Sequence, residues 1–428
     1  MTARLGDAYD PAAAKPPEPS GARVAFVEDR HPQGELQTTV RFSPNVDSLT
    51  PSATLALAAR ARALKAGGRS IVDLSAGEPE FPTPAYASEA GIAAIRAGET
   101  GYPPTQGIPQ LREAVATYLG DTTRFGDTDP GSVLVSAGVK QALFNCSFAL
   151  FGAGDEVIVP VPCWPSYTAI VELTGATPVI VETDWQNRFH LDPDRLEAAR
   201  TPRTRGLMVN SPGNPTGAVY DLERMGEIMR WCDRHGIWLL SDEIYRRLAY
   251  TEEPAPSVFD VEDRSERVIL LDGMSKAMCM PGWRIGFAVG PPPLVRRATD
   301  LQSQTTSGAV RPAQFAAAAG LGDADAREDA IATLLATLRS NRERGLEVLS
   351  ATSNIEVDPP EGAIYFYVRL PADVDGMAVA EALLLEGGVA SIPGEPFGSP
   401  GFLRFNFAVQ EQTLREGMER IQTFFGAR

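Results

Sequence analysis

Side chains that commonly bind metals or form redox centres are scarce in this chain of 428 residues, which has four cysteines and three histidines. The histidines are too far apart in the sequence for a metal-binding pattern, and no G-x-S-x-G segment occurs. Neither a metal site nor a Ser-His-Asp triad is therefore expected. The cysteines lie in separate apolar segments without paired spacing, which indicates reduced core cysteines of a cytoplasmic protein. Their positions are Cys146, Cys163, Cys232 and Cys279.

Basic residues are also few relative to acidic ones: 39 lysines and arginines stand against 55 aspartates and glutamates, a net charge of −16. This balance argues against nucleic acid or an anionic membrane surface as the main partner. No apolar run is long enough to span a membrane, and the stretch from Met1 to Val24 lacks the apolar segment of a signal peptide. We therefore expect a soluble, cytoplasmic protein.

Short apolar segments, rich in β-branched residues, recur along the middle of the chain, and helical patterns separate several of them. Continuous apolar strands that alternate with helices indicate a sheet covered on both faces, with mostly parallel strands. The sequence thus predicts an α/β fold with seven strands in its main sheet. The segments are 132–136, 156–160, 177–181, 206–210, 237–241, 267–271 and 285–289.

Changes in composition divide the chain into four predicted parts. Residues 1–45 are rich in proline, alanine and charge with little periodicity, and we interpret them as an extension that is mobile or lies on the surface. Residues 46–80 form an arm with a helix that ends at Gly67-Gly68 and contributes to a small domain. Residues 81–320 form the large domain. Residues 321–428, with a long amphipathic helix and two alternating strands, form the small α+β domain.

Polar and aromatic residues follow five of the predicted strands, at the sheet edge where ligands of doubly wound folds bind. Each has an ordinary structural explanation when taken alone: packing for the tryptophan, a turn for Asn-Pro-Thr-Gly, a helix N-cap for the aspartate and a solvated lysine. Their coincidence at successive strand ends favours a site for a flat, phosphorylated, cationic heteroaromatic aldehyde. The residues are Gly138, Trp164, Asn214, Asp242 with Tyr245, and Lys276.

Three motifs, in their order and spacing, resemble the class I aminotransferases, which are fold-type-I enzymes that use pyridoxal 5′-phosphate (PLP). They are NSPGNPTGAVY, SDEIYRRLAY and SKAMCMPGWRIGFAVGP. The segments LSAGEPEFPTP and TGYPPTQGIPQLREAV resemble the family's substrate-side loop and its subunit-crossing loop. The resemblance runs from about Leu49 to the C-terminus and is strongest to the bacterial aspartate/prephenate subgroup. It implies the PLP-transferase fold and a transamination reaction.

The resemblance assigns the cofactor's ring to five residues. Lys276 would form the Schiff base with the cofactor aldehyde and later move the proton of the substrate Cα. Apolar neighbours suit this role, because a desolvated lysine loses its proton more readily. Asp242 would pair with the pyridinium nitrogen. Tyr245 and Asn214 would bind the ring's phenolic oxygen, and Trp164 would stack on the ring.

The resemblance also assigns the phosphate. Arg284 would clamp it, because a planar fork of donors suits phosphate oxygens. Gly138, Val139 and Lys140 would hold it at the start of their helix. Tyr102 matches a tyrosine that reaches the phosphate from the neighbouring subunit, which implies a homodimer with shared sites.

Substrate contacts follow from the same resemblance. Arg404 would grip the α-carboxylate of the amino acid, and Gly77 would offer its backbone nearby; Trp164 and Asn214 also border the substrate. In the aspartate/prephenate subgroup, residues matching Thr54 and Lys140 recognise the distal carboxylate, which favours a dicarboxylic substrate such as aspartate or glutamate.

Several alternatives remain open. The same scaffold supports aromatic, prephenate or alanine transamination, in which case Lys140 belongs only to the phosphate site. It also supports PLP-dependent lyase or oxidase chemistry, and a degenerate member could serve as a binding module. Two departures from the family pattern bear on the phosphate site. Gly273 stands where many members carry serine or threonine, and Val139 stands where a small residue is common, which suggests a tighter or shifted phosphate cup.

Overall fold

All seven segments predicted as strands lie in one sheet of the computed structural model, which describes residues 53–251, 254–262 and 264–427. The strand order is β2-β8-β7-β6-β5-β3-β4. Neighbouring strands are parallel except around β8, which runs antiparallel to β2 and to β7. The prediction of a mostly parallel seven-stranded sheet is confirmed. The strands are β2 (Val133–Ser136), β3 (Glu156–Val161), β4 (Thr177–Glu182), β5 (Thr204–Asn210), β6 (Trp238–Asp242), β7 (Val268–Gly273) and β8 (Gly286–Val289).

The apolar composition of these strands follows from their burial on both faces. Every residue of β2 and β8 is buried, as are all but one in each of β6 and β7. A sheet covered on both faces has no solvated side, so its strands read as continuous apolar runs without alternation. The link between β7 and β8 contains no helix, and such a connection returns the chain antiparallel.

Twelve α-helices occur among the described residues, and half of them pack directly on the central sheet. α7 illustrates how the sequence sets the ends: the Asp221 side chain accepts a hydrogen bond from Arg224 N at 2.7 Å, and Gly236 closes the helix with φ 66°. The helices are α1 (Ala53–Ala66), α2 (Ala85–Arg96), α3 (Pro109–Thr122), α4 (Val139–Leu150), α5 (Ser166–Leu173), α6 (Pro193–Ala199), α7 (Leu222–His235), α8 (Pro292–Thr305), α9 (Arg311–Gly322), α10 (Ala324–Ser350), α11 (Gly376–Ala382) and α12 (Glu411–Gly426).

A second, antiparallel sheet of four strands lies in the C-terminal quarter of the chain, in the order β12-β13-β10-β9. α10 packs against α12 and β9, and it buries the apolar side chains predicted for its inner face, among them Ile331 and Leu338. The remaining strands are β1 (Val72–Asp73), β9 (Glu356–Val357), β10 (Tyr365–Arg369), β11 (Val389–Ala390), β12 (Ile392–Pro393) and β13 (Phe402–Asn406).

The short parallel pair β1 and β11 joins the segment after α1 to the C-terminal region. The extension predicted over residues 1–45 lies outside the described residues. The boundaries of the large and small domains stay predictions. Within the described part of the chain, no helix is both long enough and apolar enough to cross a membrane.

Candidate active site

The turn after β7 carries Lys276, whose amine donates a hydrogen bond to the carbonyl of Gly77. Burial lowers the pKa of the Lys276 ammonium to about 8, because the charged form loses its hydration. Glu78 and Asp242 raise this pKa, whereas Arg404 lowers it further. The amine of Lys276 is therefore uncharged far more often than that of an ordinary lysine.

Asp242 is the last residue of β6, and its carboxylate is buried in a fixed orientation. Its Oδ2 accepts a hydrogen bond from Tyr167 Oη at 2.8 Å, and its Oδ1 accepts one from Ile244 N at 3.2 Å. Burial raises the pKa of Asp242 to about 6, while both hydrogen bonds and Lys276 oppose that rise. A cation placed beside this carboxylate would lower its pKa again.

The amide of Asn214 and the guanidinium of Arg404 form one buried pair. Arg404 Nη1 donates to Asn214 Oδ1 at 2.9 Å, and Nη2 donates to the carbonyl of Ser75 at 2.9 Å. The turn that carries Asn214 is fixed by Asn210, the last residue of β5, whose Oδ1 accepts from Asn214 N at 2.8 Å. Arg404 Nε is buried and has no hydrogen-bond partner among the described residues. A guanidinium in this state has donor capacity left for a ligand.

Gly138 and Arg284 lie in contact where α4 begins. Gly138 has φ 85°, and a Cβ added there would lie 2.5 Å from Arg284 Nη2, so only glycine fits. Arg284 donates to the carbonyls of Pro281 at 3.0 Å and Ala137 at 3.2 Å. The first residue of α4, Val139, is buried. The contact thus brings a guanidinium to a helix N-terminus, an arrangement suited to an anion.

Gly273 stands where many family members carry the hydroxyl group of serine or threonine, and its lack of a side chain has a steric explanation. A Cβ added to Gly273 would lie 2.7 Å from Gly286 Cα, 2.9 Å from the Ile285 carbonyl oxygen and 3.1 Å from Val139 Cγ2. Gly286 Cα and the Ile285 carbonyl oxygen are backbone atoms at the start of β8, and they cannot move without displacing that strand. The strand packing here therefore excludes a serine or threonine side chain at position 273.

Lys140 lies beside Trp164, with its Nζ 4.6 Å from the centre of the indole ring. Burial and the nearby Arg284 lower the pKa of Lys140. Within the described ranges, no carboxylate lies within ion-pairing distance of Lys140. Trp164 is half-buried and meets Tyr167 edge-on, with ring centres 5.5 Å apart. An exposed cation that is held over an aromatic ring without an acidic partner is a candidate for binding an anionic ligand group.

Two predicted site residues have no described contact with this centre. Tyr102 is 89% exposed. The side chain of Thr54 lies outside the described residues, so its predicted contact is untested.

Two buried tyrosines of the site were missed by sequence reasoning. Tyr167 binds Asp242, and Tyr365 Oη lies 2.7 Å from Tyr245 Oη. For Tyr167 a signal existed, because it falls on the first turn of α5 directly after the strand end that carries Trp164. For Tyr365 none existed, because it lies in an apolar strand more than a hundred residues from its partner.

Comparison with known proteins gives the family. The sequence profile described as "Aminotransferase class I and II" matches residues 69–421. The chain belongs to this family. It is 38% identical over 398 residues to an aspartate aminotransferase of Streptomyces avermitilis, covering 90% of this chain and 96% of that one. It is 39% identical over 387 residues to an aspartate/prephenate aminotransferase of Thermus thermophilus, covering 90% and 99%.

Solved structures agree with the sequence relationship. The aspartate aminotransferase from Thermus thermophilus with maleate superposes with a TM-score of 0.86 at 38% identity, over 90% of this chain and all of that one. The aspartate aminotransferase from Rhizobium meliloti gives 0.84 at 33% identity, over 90% and 98%. The chain is therefore a PLP-dependent aminotransferase with the fold-type-I architecture, as the sequence motifs predicted.

The residues present fit this cofactor. PLP offers an aldehyde, a pyridine nitrogen, a phenolic oxygen and a phosphate. The site supplies an amine of lowered pKa at Lys276, a buried carboxylate at Asp242, a phenol at Tyr245 and the guanidinium of Arg284 at a helix N-terminus. Among the described residues, no group of three histidine, cysteine, aspartate or glutamate side chains could hold a metal ion.

Proposed function

We propose that the protein transfers the amino group of aspartate or glutamate to a 2-oxo acid, with prephenate as a further acceptor. Three observations support the proposal: the family, the names of the relatives, and Lys140, which lies over the ring of Trp164 and has no acidic partner among the described residues. Lys140 carries the substrate assignment, because a cation poised in this way suits a second carboxylate on the substrate. A panel of single amino acids mixed with the loaded enzyme tests it, since only true donors convert the cofactor to its amino form.

Lys276 is the residue we assign to proton transfer. Its amine would hold PLP covalently at rest, and Nζ, once freed, would take the proton from the substrate Cα. A base works best when its pKa lies near the working pH, and burial has moved the pKa of Lys276 to about 8. The contact with the Gly77 carbonyl gives the free amine a fixed direction.

The other contacts to the cofactor divide between its ring and its phosphate. When bound, PLP supplies a protonated ring that takes up the electron pair left on the substrate Cα. Asp242 would keep the ring nitrogen protonated, held in line by Tyr167. Tyr245 and Asn214 would bind the phenolic oxygen, and Trp164 would cover the ring. The phosphate would lie at Arg284 and at the start of α4, formed by Gly138, Val139 and Lys140.

Arg404 is the residue we assign to the substrate α-carboxylate. Its Nη atoms are already oriented by Asn214 and Ser75, and its Nε has no partner among the described residues. A planar guanidinium that is fixed before binding loses little side-chain freedom when the carboxylate arrives. Gly77 lies beside it, because a Cβ added there would be 4.0 Å from Arg404 Nη2.

Replacing Lys140 with methionine should lower kcat/KM for aspartate and glutamate by about 10- to 100-fold, the range for a hydrogen bond to a charged group. The kcat/KM for alanine should change less than about threefold, because alanine has no distal carboxylate and methionine retains the apolar stem over Trp164. Steady-state kinetics with the three donors give the result. Thr54→Val, tested in parallel, should also lower kcat/KM for aspartate and glutamate.

An equal loss for all three donors, together with weaker binding of PLP, would contradict this assignment. Lys140 would then belong to the phosphate site alone. An unchanged kcat/KM for aspartate in both Lys140→Met and Thr54→Val would refute the distal-carboxylate contact altogether.

We further propose a homodimer in which Tyr102 reaches the phosphate site of the partner subunit. The exposed Tyr102 lies in a loop that is held firmly: Gln302 Nε2 donates to the Thr105 carbonyl at 2.6 Å, and Gly308 packs against Pro103. Val310, two residues further, is 62% exposed. A rigid loop that presents an aromatic ring beside an exposed apolar residue suits a subunit interface.

Hybrid dimers test this arrangement. Tyr102→Ala and Lys276→Ala subunits, each defective alone, should regain about a quarter of wild-type activity when unfolded and refolded together, because half of the random dimers contain one complete site. Regained activity would show that the two residues act in one site from different chains. A protein that stays monomeric in sedimentation, or mixtures without regained activity, would contradict the proposal.

The division into two domains and the cytoplasmic location also remain proposals. The four cysteines are buried and unpaired, which is compatible with a reducing compartment.

A further inference from the structure

Tyr365, the first residue of β10, is fully buried and bridges groups from three distant parts of the chain. Its hydroxyl lies 2.7 Å from Tyr245 Oη and donates to the Gly77 carbonyl at 3.3 Å. The same carbonyl accepts from the Lys276 amine. One hydroxyl group thus touches the phenol assigned to the cofactor and the backbone that orients the reactive lysine.

The ring of Tyr365 has a separate contact. The guanidinium carbon of Arg404 lies 4.3 Å from the ring centre, in the geometry of a cation–π interaction. The guanidinium can rotate within its plane only by losing its bonds to Asn214 or Ser75, and the ring restrains it from tilting out of that plane. The aromatic face therefore fixes the orientation of the group assigned to the substrate carboxylate.

We propose that Tyr365 is a positioning residue of the transamination reaction, whose hydroxyl directs the proton of Tyr245 and whose ring orients Arg404. The proposal rests on the proposed function, because it uses the roles assigned there to Tyr245 and Arg404. Tyr245 has one proton. If Tyr245 donates this proton to the cofactor's phenolic oxygen, its 2.7 Å contact with Tyr365 is a hydrogen bond only when Tyr365 donates and Tyr245 accepts.

The consequence for Tyr245 follows from hydrogen-bond cooperativity. A phenol whose oxygen accepts a hydrogen bond becomes a stronger donor, because the two bonds polarise each other. When Tyr365 donates to Tyr245, it gives up its longer bond to the Gly77 carbonyl, which accepts from the Lys276 amine whenever that amine is free. Tyr365 can therefore serve either partner without leaving the carbonyl unsatisfied.

Two substitutions separate the hydroxyl from the ring. Tyr365→Phe keeps the ring under Arg404 and should lower kcat by about 5- to 10-fold, the effect of one hydrogen bond, with KM for the amino acid unchanged within about twofold. The dissociation constant of PLP, measured by tryptophan fluorescence of the cofactor-free protein, should rise by a similar factor. Tyr365→Leu removes the ring as well and should also raise KM at least about fivefold.

Tyr367→Phe is the matched control. Tyr367 lies two residues along the same strand and is buried to a similar extent, but its hydroxyl has no hydrogen-bond partner among the described residues, and its ring stacks on Phe402. Removal of the Tyr367 hydroxyl should leave kcat, KM and PLP binding unchanged. Equal effects of Tyr365→Phe and Tyr367→Phe would overturn the proposal, since any buried tyrosine of β10 would then serve.

A double-mutant cycle with Tyr245→Phe decides whether Tyr365 acts through Tyr245. The kcat of the double variant should equal that of Tyr245→Phe alone, because Tyr245→Phe already breaks the hydrogen bond between Tyr245 and Tyr365. Losses that simply multiply would overturn the proposal, as would a Tyr365→Phe enzyme equal to wild type. Tyr365→Phe retains the packed aromatic ring. If it nevertheless folds poorly, Tyr245→Phe removes the same hydrogen bond from the other partner. A wild-type protein without transaminase activity would instead overturn the proposed function.

Discussion

Replacing Lys276 with alanine should lower kcat for transamination by at least about 10⁴-fold, the upper range for loss of a positioned acid–base group, because the variant also loses its covalent hold on the cofactor. PLP should still bind, through the contacts assigned to Arg284 and Asp242, but with lower affinity. Rapid-mixing and steady-state assays measure the activity, and fluorescence of the cofactor-free protein measures binding.

Lys65→Ala is the control for this change, because Lys65 lies exposed at the end of α1. It should behave as wild type. Partial recovery of the Lys276→Ala variant by added small primary amines would support the role as a base, since a free amine can then carry the proton. A Lys276→Ala enzyme that retains a tenth or more of the wild-type kcat would contradict the assignment.

Replacing Asp242 with asparagine should lower kcat by about 10²- to 10³-fold, the range for losing one preorganised electrostatic contact in a buried site. Asparagine matches the shape of aspartate: its carbonyl oxygen can accept from Ile244 N, and its amide nitrogen can donate to Tyr167 Oη, so the change removes the charge and reverses one hydrogen bond. Without the negative charge, the ring nitrogen would lose its proton and withdraw electrons poorly. KM should change much less than kcat.

Tyr167→Phe gives the graded comparison. It removes one hydrogen bond to Asp242 and leaves the charge, so kcat should fall only about fivefold. Because that bond opposes the burial that raises the pKa of Asp242, its loss should raise this pKa further. An Asp242→Asn enzyme with kcat within fivefold of wild type would show that the carboxylate is not the partner of the ring.

The strands and the residues at their ends could be predicted from the sequence for a common physical reason. A strand buried on both faces must be apolar, so polar residues at its end or in the turn that follows stand out, such as Asp242 at the end of β6 and Asn214 in the turn after β5. The carboxyl ends of the parallel strands lie at one edge of the sheet, which brings these polar residues together in one site.

The features missed by the sequence analysis depend on contacts between distant segments. The bonds of Tyr167 with Asp242 and of Tyr365 with Tyr245 form only when separate elements pack together. The local sequence of Tyr365 is that of a core strand, and although Tyr167 follows a strand end, nothing near it identifies Asp242 as its partner. The backbone of Gly77 was predicted near the substrate carboxylate, but its bond with the Lys276 amine was not, and neither was the bond of the Ser75 carbonyl with Arg404, because no side-chain pattern reveals a backbone partner. The exclusion of serine at Gly273 depends on the close approach of Gly286 in β8.

Borohydride reduction of the PLP-loaded enzyme, followed by mass spectrometry of its peptides, tests the central claim most directly. The chain has four lysines, Lys15, Lys65, Lys140 and Lys276, so the position of the label is unambiguous. We predict one reduced cofactor per chain, on the peptide that contains Lys276, and none in Lys276→Ala. Label on Lys140, or on no lysine at all, would contradict the account.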